Sequence, residues 1–266
     1  MDSPTVSVLI LNYRNANATV ECVRSFMEQT ITDNIEIIVI DNHSSDDSIG
    51  VLRNRLSGIP NVRIVETPQN HGFGYGYNKG ATYATGEYLL INNPDKRLPP
   101  DGIEKLVAAY KADASVGILA PKLVHADGSR RYSIRTFPRI LDVLSRRSYL
   151  GSLFPKHLRR YLMLDADPNI CQEVDWVVGG CFLITKQLFR TLEGFDERFF
   201  LFFEDTDLCR RCRTLGRTVL YEPAVVASDK RNRLSGEKFF DLIFKKTGRI
   251  HIVSAIRYFT KWGIFA

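Results

Sequence analysis

Three carboxylic acids lie within four residues, at Glu204, Asp205 and Asp207, directly after the aromatic segment 199–203. Apolar surroundings raise the pKa of a carboxyl group towards that of a working general base. Acidic residues are also favoured at the start of a helix, where they oppose the helix dipole. The segment is therefore a candidate source of a general base, and helix capping is the alternative.

A carboxylate and an amide lie close together in the segment Asn93-Pro94-Asp95, which follows a predicted buried strand. Such a pair suits a hard divalent cation that keeps some of its waters and takes further oxygen ligands from a diphosphate. An Asn-Pro-Asp turn that binds no ligand is equally compatible with the sequence.

The polar segment 41–47 lies between a predicted strand and a predicted helix. Its side chains and the amides at the helix start converge on a pocket that suits a nucleotide. Ser and Asp are also preferred helix caps, so a simple capping loop is the alternative.

Short β-branched runs alternate with amphipathic segments over the first 120 residues, which is the pattern of successive βαβ units. The expected strands are 6–11, 36–40, 62–65, 87–91, 116–120 and an apolar run over 174–185 that Gly179-Gly180 interrupts. The expected helices are 17–28, one ending near 56, 75–86, one that Pro99-Pro100 opens, 140–147, one ending at 192 and 204–215. Ligands of open α/β sheets bind beyond the carboxyl ends of the strands, where segments 41–47 and 93–95 both lie. The sequence therefore predicts an α/β sheet with both polar segments at one edge.

The composition is that of an ordinary globular protein, with 266 residues of which 44% are hydrophobic and 25% are charged. This excludes a disordered chain, a collagen-like repeat and a small disulfide-stabilised protein. The five cysteines are scattered and odd in number, which favours reduced thiols. The N-terminus lacks the features of a signal peptide, and no run approaches the roughly 20 apolar residues of a membrane span, so we expect a cytoplasmic protein.

The net charge of +6 is distributed unevenly along the chain. Residues 230–266 carry +7 and residues 130–160 carry +8, so the rest of the chain is acidic. This segregation suggests an acidic pocket that could hold a metal, beside basic surfaces that face an anionic partner.

Apolar and basic residues recur at helical spacing in the C-terminal extension, residues 230–266, which follows a main domain of residues 1–229. The apolar residues are Phe239, Phe240, Ile243, Phe244, Ile252, Ile256 and Phe259, and the basic residues are Lys238, Lys245, Lys246, Arg249, Arg257 and Lys261. This pattern predicts amphipathic helices that dock on an anionic membrane surface. Helices that pack on the main domain and leave a solvated basic face are the alternative.

Seven stretches, read in order, resemble glycosyltransferase family 2, and within it the rhamnosyltransferase-like branch that builds bacterial polysaccharides. They are 6–13, 38–46, 70–74 with 78–80, 86–95, 178–180, 194–200 and 204–208. The resemblance implies an α/β fold of the GT-A type, in which helices flank a single Rossmann-like mixed sheet. It also implies a nucleoside-diphosphate sugar donor, a divalent metal, Mg²⁺ or Mn²⁺, and inversion at the anomeric carbon.

The resemblance further implies the partners: a dTDP- or UDP-sugar, best dTDP-rhamnose, and a glycan or lipid-linked acceptor at the inner face of the membrane. No nucleic-acid partner is expected. A sugar nucleotidyltransferase is one alternative, but it needs a Gly-rich basic loop where this chain has Asn12-Tyr13-Arg14-Asn15. A non-catalytic glycan- or nucleotide-binding relative is the other.

Site residues are carried over from the family motifs to matching positions. They are Tyr13, Asp41 and Asn42 for the base and ribose, Asn78 and Asn93 for the donor, Asp95 for the metal and diphosphate, and Trp176, Gly179 and Gly180 for the sugar and acceptor side. Residues two apart on a helix point about 200° apart, so only one of Asp205 and Asp207 can be the base. The resemblance assigns that role to Asp205 and leaves Asp207 to cap the helix or to hold Arg210 or Arg211.

One departure concerns a His that relatives commonly carry shortly after the strand that ends here in Tyr221-Glu222-Pro223. In those relatives it reaches the metal or the diphosphate. This chain has no His in segment 224–230. Either Asp229 substitutes as a metal ligand or the metal is held more loosely.

Overall fold

The protein is described by a computed structural model that covers residues 5–146, 155–230 and 246–264. The strands in these residues are β1 (Val6–Asn12), β2 (Ile35–Asp41), β3 (Val62–Glu66), β4 (Tyr88–Asn92), β5 (Lys96–Arg97), β6 (Val116–His125), β7 (Ile134–Arg135), β8 (Gln172–Glu173), β9 (Trp176–Val177), β10 (Cys181–Thr185) and β11 (Thr218–Asp229). The α-helices are α1 (Ala16–Phe26), α2 (Ser48–Leu56), α3 (Phe73–Ala81), α4 (Gly102–Ala112), α5 (Ile140–Arg146), α6 (Pro155–Tyr161), α7 (Lys186–Thr191), α8 (Glu204–Thr214) and α9 (Lys246–Trp262).

One mixed sheet forms the centre of the molecule, with the strand order β3-β2-β1-β4-β10-β6-β11-β5 and with β8 paired to β11. The pairs among β1 to β4 are parallel, β10 runs antiparallel to both of its neighbours, and β6 and β11 are parallel. Consequently β1, β2, β3, β4, β6 and β11 all end at one edge, and β10 begins there. We call this the carboxyl edge of the sheet.

Two layers of helices cover the sheet, because its central strands are apolar on both faces. Val8 and Ile10 of β1 pack in the core that includes α1, α2 and α4, whereas Leu9 and Leu11 pack in the core that includes α3, α7 and α8. This alternation follows from the two-residue period of a strand. Packing between the two helix layers fixes the positions of the strands, and thereby the positions of the loops that leave the carboxyl edge.

Several predicted boundaries were wrong. Strand β11 continues through Pro223 to Asp229, with an irregularity between Glu222 and Val226 that accommodates a residue without an N–H donor. The expected interruption of the apolar run 174–185 at Gly179-Gly180 is confirmed, since the run forms two strands, β9 and β10. Helix α3 ends at Ala81 instead of residue 86.

Helix α9 packs on the main domain beside α8. Tyr258 is fully buried in one cluster with Phe199 and Phe203, and its hydroxyl accepts a hydrogen bond from Arg210 at 2.8 Å. The predicted helical spacing is confirmed for this part of the extension, whereas Phe239, Phe240, Ile243 and Phe244 lie outside the described residues. Among the helices that the structure describes, none has both the length and the apolar character needed to cross a membrane.

Candidate active site

The sheet topology brings most of the predicted site residues to its carboxyl edge. Tyr13 follows β1, Asp41 ends β2 and Asn42 follows it, Asn93 and Asp95 follow β4, Gly179 and Gly180 precede β10, and Asp229 ends β11. Residues separated by up to 216 positions in the sequence therefore face one region, as open α/β sheets require of a ligand site.

Asp41 is held in place by two donors. Its Oδ1 accepts from the Asn12 amide at 2.7 Å and its Oδ2 accepts from the Ser44 backbone N–H at 2.9 Å. The Asn12 amide is oriented in turn by the Thr19 hydroxyl, which donates to its Oδ1 at 2.9 Å. Tyr13, beside this buried network, is 48% exposed and can present its ring to a base. Sequence reasoning missed Asn12, although it is a polar residue at the end of an otherwise apolar strand.

Asn42 is buried in the loop that follows β2. Its amide nitrogen donates to the Gly72 carbonyl at 3.0 Å, and its Oδ1 accepts from the Thr67 hydroxyl at 3.2 Å. These bonds tie the loop after β2 to the loop that precedes α3. Asn42 thus positions these two loops, and the base or ribose contact that the family motif predicts stays a prediction.

The polar side-chain atoms of Asn78 and Trp176 are also hydrogen-bonded within the protein. The Asn78 amide donates to the Phe195 carbonyl and accepts from the Phe195 N–H, each at 2.8 Å. The Trp176 indole N–H donates to the Thr136 carbonyl at 2.9 Å, and its ring is buried in the core. Both side chains fasten neighbouring segments, and their expected contacts with the donor and its sugar stay predictions.

Asn93 and Gly180 join the end of β4 to the start of β10. The Asn93 backbone N–H donates to the Gly180 carbonyl at 2.6 Å, and the Asn93 Oδ1 accepts from the Tyr77 hydroxyl at 3.0 Å. Gly180 has φ +135°, and a Cβ there would lie 2.8 Å from the Asn93 amide nitrogen. A glycine is therefore required at this close approach.

Asp205 lies directly over Gly179 at the start of α8. Its Oδ2 accepts from the Gly179 N–H at 2.6 Å, and its Oδ1 accepts from the Thr206 N–H at 2.7 Å. Burial raises the pKa of Asp205 from its ordinary value, and these two hydrogen bonds oppose the shift. The carboxylate is thus oriented by the backbone and made more basic by its surroundings.

Glu204, the neighbour of Asp205, is buried, and its Oε2 has no hydrogen-bond partner among the described residues. Burial and the adjacent Asp205 carboxylate raise the pKa of Glu204 well above its ordinary range, which favours the neutral acid. Phe202 and Phe203, directly before these acids, both have φ +70°, a strained conformation for a non-glycine residue. This turn aims the start of α8 at Gly179, and no sequence signal indicated it.

The Asp207 side chain points away from Asp205 and contacts basic and aromatic side chains of α8 and α9. Its Oδ2 accepts from the Arg211 guanidinium at 2.8 Å, and its Oδ1 contacts Lys261 at 2.6 Å and the Trp262 indole N–H at 2.8 Å. The expected pairing of Asp207 with Arg210 or Arg211 is present, with Arg211 as the partner. Asp207 also fastens α9 to α8, which the sequence did not indicate.

A buried ammonium lies between the two carboxylates that the sequence proposed as metal ligands. The Lys96 Nζ is 2.9 Å from Asp95 Oδ1 and 3.1 Å from Asp229 Oδ1, and Arg131 forms a second ion pair with Asp229. The Lys96 side chain is only 3% exposed. Burial lowers the pKa of Lys96, and the Asp95 carboxylate opposes that shift.

This arrangement does not fit a divalent ion between Asp95 and Asp229. Both carboxylates already contact the Lys96 ammonium, and Asp229 is also paired with Arg131. Within the described ranges, no group of three or more His, Cys, Asp or Glu residues is placed to hold a metal. Asp229 is an ion-pair partner in this structure, and the metal role expected of it does not fit these ion pairs. The lysine directly after Asp95 was the sequence signal that could have indicated this.

Sequence comparison decides the family. The profile described as glycosyl transferase family 2 matches residues 7–193, which is more than half of the chain. The chain belongs to glycosyl transferase family 2. The family predicted from the seven sequence stretches is thereby confirmed.

Two curated relatives of this family 2 chain are glycosyltransferases by name. The N-acetylglucosaminyl-diphospho-decaprenol L-rhamnosyltransferase of Mycobacterium tuberculosis is 27% identical over 203 residues, covering 71% of this chain and 64% of the relative. A low-salt glycan biosynthesis hexosyltransferase of Haloferax volcanii is 22% identical over 211 residues, covering 70% and 64% respectively. Each match thus covers a little under two thirds of the relative's own length.

Two solved structures share the fold of this family 2 chain. A mannosyltransferase of Pyrobaculum calidifontis in complex with GDP-Man and Mn²⁺ has a TM-score of 0.62 at 20% identity, covering 97% of this chain and 65% of that one. GalNAc-T7 with UDP, GalNAc and Mn²⁺ has a TM-score of 0.70 at 16% identity, covering 98% and 48%. At these identities the likeness concerns the fold, and it confirms the predicted GT-A fold.

Proposed function

We propose that the protein is an inverting glycosyltransferase that moves a sugar from a nucleoside-diphosphate donor to an acceptor hydroxyl. The observation that carries this proposal is the placement of the Asp205 carboxylate on the Gly179 N–H, at the same sheet edge as Asp41 and Asp95. In this proposal the nucleoside binds at one end of the edge, beside Tyr13 and Asp41, and Asp205 is the oriented base at the other. A single displacement needs both.

The proposed reaction is a direct displacement at the anomeric carbon. The acceptor hydroxyl oxygen forms a bond to that carbon on the face opposite the diphosphate. The bond from the anomeric carbon to the diphosphate oxygen breaks, and its electron pair leaves with the nucleoside diphosphate. The hydroxyl proton passes to Asp205, whose raised pKa improves it as an acceptor.

The donor is proposed to be a dTDP- or UDP-sugar, with L-rhamnose as the sugar. The name of the Mycobacterium tuberculosis relative supports rhamnose, and the exposed Tyr13 ring beside the fixed Asp41 supports a nucleoside at that end. Both Mn²⁺-containing neighbours make a divalent cation the usual expectation. The residues around Lys96 do not fit one, so no step of the proposed reaction uses a metal.

The acceptor is proposed to be a glycan or lipid-linked sugar at the cytoplasmic face of the membrane. The name of the same relative, which contains a diphospho-decaprenol, supports a lipid-linked acceptor. Helix α9 supports a membrane surface, because Ile252, Val253 and Ile256 are exposed on it beside exposed Arg249 and Arg257. Phe259 and Lys261, in contrast, are turned towards the main domain.

The test of the proposed function is a donor panel. The full chain is incubated with dTDP-, UDP- and GDP-sugars, and binding is followed by thermal shift and sugar release or transfer by a labelled sugar. A ligand that binds the native state raises its apparent stability by mass action. We expect stabilisation and turnover with a dTDP- or UDP-sugar. Reaction with GDP-sugars alone would contradict the donor class, and binding without turnover would favour a non-catalytic relative.

A further inference from the structure

We infer that the Lys96 ammonium takes the place of a divalent ion between Asp95 and Asp229 and that Arg131 contacts the donor diphosphate, so that this protein binds its donor without a metal. The inference rests on the proposed function, because it concerns the same donor site. It begins from the row of alternating charges Asp95, Lys96, Asp229 and Arg131, in which each neighbouring pair is in contact.

The Lys96 ammonium occupies the position where a cation would bridge the two carboxylates. It lies 2.9 Å from Asp95 Oδ1 and 3.1 Å from Asp229 Oδ1. A divalent ion on the same oxygens would be in contact with this like charge, and repulsion between buried charges is screened little by solvent. The ammonium therefore excludes the ion.

Lys96 has no room to withdraw from this position. Its side chain is almost fully buried, and its backbone pairs with Asp229 in the antiparallel register of β5 and β11. Gly180 closes the site from the other side, since a Cβ there would lie 3.5 Å from Lys96 Cε. Lys96 thus acts through the carboxylates it holds and is a positioning residue.

Arg131 is the member of the row that can reach the donor. Its side chain is 22% exposed, whereas that of its partner Asp229 is fully buried. A guanidinium presents a rigid fork of donors that matches phosphate oxygens, and it keeps its charge at every physiological pH. Arg131 thus carries its charge from the Asp229 ion pair to the surface, where a diphosphate oxygen can approach it.

The presence of Asp229 where relatives have a His accounts for the buried positive charge of Lys96. A neutral His near the metal position can serve as a ligand, whereas Asp229 adds a negative charge that must be neutralised when it is buried. Lys96 and Arg131 provide that neutralisation. The site therefore has the composition of a closed ion-pair network and lacks the open ligand positions of a metal centre.

The test measures nucleotide binding by calorimetry on the full chain with dTDP, UDP and GDP, in EDTA and in Mn²⁺. We expect the Kd of the bound nucleotide to differ by no more than about twofold between the two conditions. Paramagnetic resonance of Mn²⁺, with the same nucleotide present, should show no ion bound per chain. Wild-type protein alone decides this outcome, so it does not depend on whether any variant folds.

Three variants then separate the roles. Arg131→Ala should weaken nucleotide binding by roughly tenfold or more in both conditions. Lys96→Ala should bind weakly in EDTA and regain affinity roughly tenfold in Mn²⁺, because Asp95 and Asp229 are then free to hold the ion. Lys105→Ala removes an exposed lysine that pairs with Asp101 and should change neither value.

Wild-type binding that needs Mn²⁺, with one ion bound per chain, would overturn the inference and leave the proposed function standing. Absence of binding by all three nucleotides in both conditions would overturn the inference together with the proposed donor class. A Lys96→Ala variant that folds and gains no response to Mn²⁺ would also contradict the role given to Lys96.

Discussion

The Asp205 carboxylate accepts a hydrogen bond from the backbone N–H of Gly179 at 2.6 Å, so the candidate base on α8 is fixed directly to the loop that begins β10. A side chain at position 179 would lie 3.0 Å from the same carboxylate oxygen. The contact joins the first turn of a helix to the carboxyl edge of the sheet. The position of the proposed general base is thus fixed relative to the strands of the sheet.

Replacing Asp205 by Asn should lower transfer by roughly 10² to 10⁴-fold, because the amide keeps the shape and cannot accept the proton. Nucleotide affinity should barely change. Initial rates with saturating donor and the Kd of the nucleotide provide the two measurements. Asp127→Asn, in an exposed turn, is the matched control.

Asp207→Asn should weaken the packing of α9, because Asp207 contacts Lys261 and Trp262. The transfer rate, measured per folded molecule, should stay at the wild-type value. If instead Asp205→Asn remained active and Asp207→Asn were folded and inactive, the two roles would have to be exchanged.

Stability should decrease as the pH rises through the interval between the ordinary and the raised pKa of Glu204. In this interval the unfolded chain has released the Glu204 proton and the folded protein still holds it, so higher pH favours unfolding. Glu204→Gln removes this titration and should flatten the dependence. Urea unfolding at a series of pH values measures it. Glu193→Gln, at an exposed position, should retain the wild-type slope, and an equal slope in both variants would contradict the assignment.

Gly180→Ala should destabilise the protein by about 1–3 kcal/mol, because the residue has φ +135° and the added Cβ meets the Asn93 amide. Gly128→Ala is a matched control, since Gly128 has φ +80° and no atom within 4 Å of its Cβ position. The difference between the two variants in the free energy of unfolding isolates the steric contribution. Equal losses would show that the Asn93 contact is unimportant.

The double variant Ile252→Glu with Ile256→Glu should abolish sedimentation with anionic liposomes, because Ile256 is 61% exposed on α9 and charges there repel the membrane surface. Ile170→Glu changes an equally apolar, exposed residue outside α9 and should leave sedimentation unchanged. Unaltered binding of the double variant would favour the alternative in which α9 merely packs on the domain. Adding salt should weaken the wild-type interaction.

The sequence by itself determined strands β1 to β4 and β6, their alternation with helices and the residues that follow each of them. Val6–Asn12 and Ile35–Asp41 are continuous apolar runs that end in polar residues, and such local patterns predict both a buried strand and its exit. The family followed from seven motifs in order, since their spacing is a property of the chain alone. The choice of Asp205 over Asp207 required only helix geometry and the family motif.

Only the tertiary structure decided which polar atoms remain available for a ligand. Asn42 and Trp176 match the family motifs, yet their hydrogen bonds are taken by the Gly72 and Thr136 carbonyls, which lie far away in the sequence. Asp229 has Lys96 and Arg131 as partners for the same reason. Hydrogen bonding and charge pairing depend on distances of about 3 Å between segments that no local pattern relates, so they appear only once the sheet has brought its edges together.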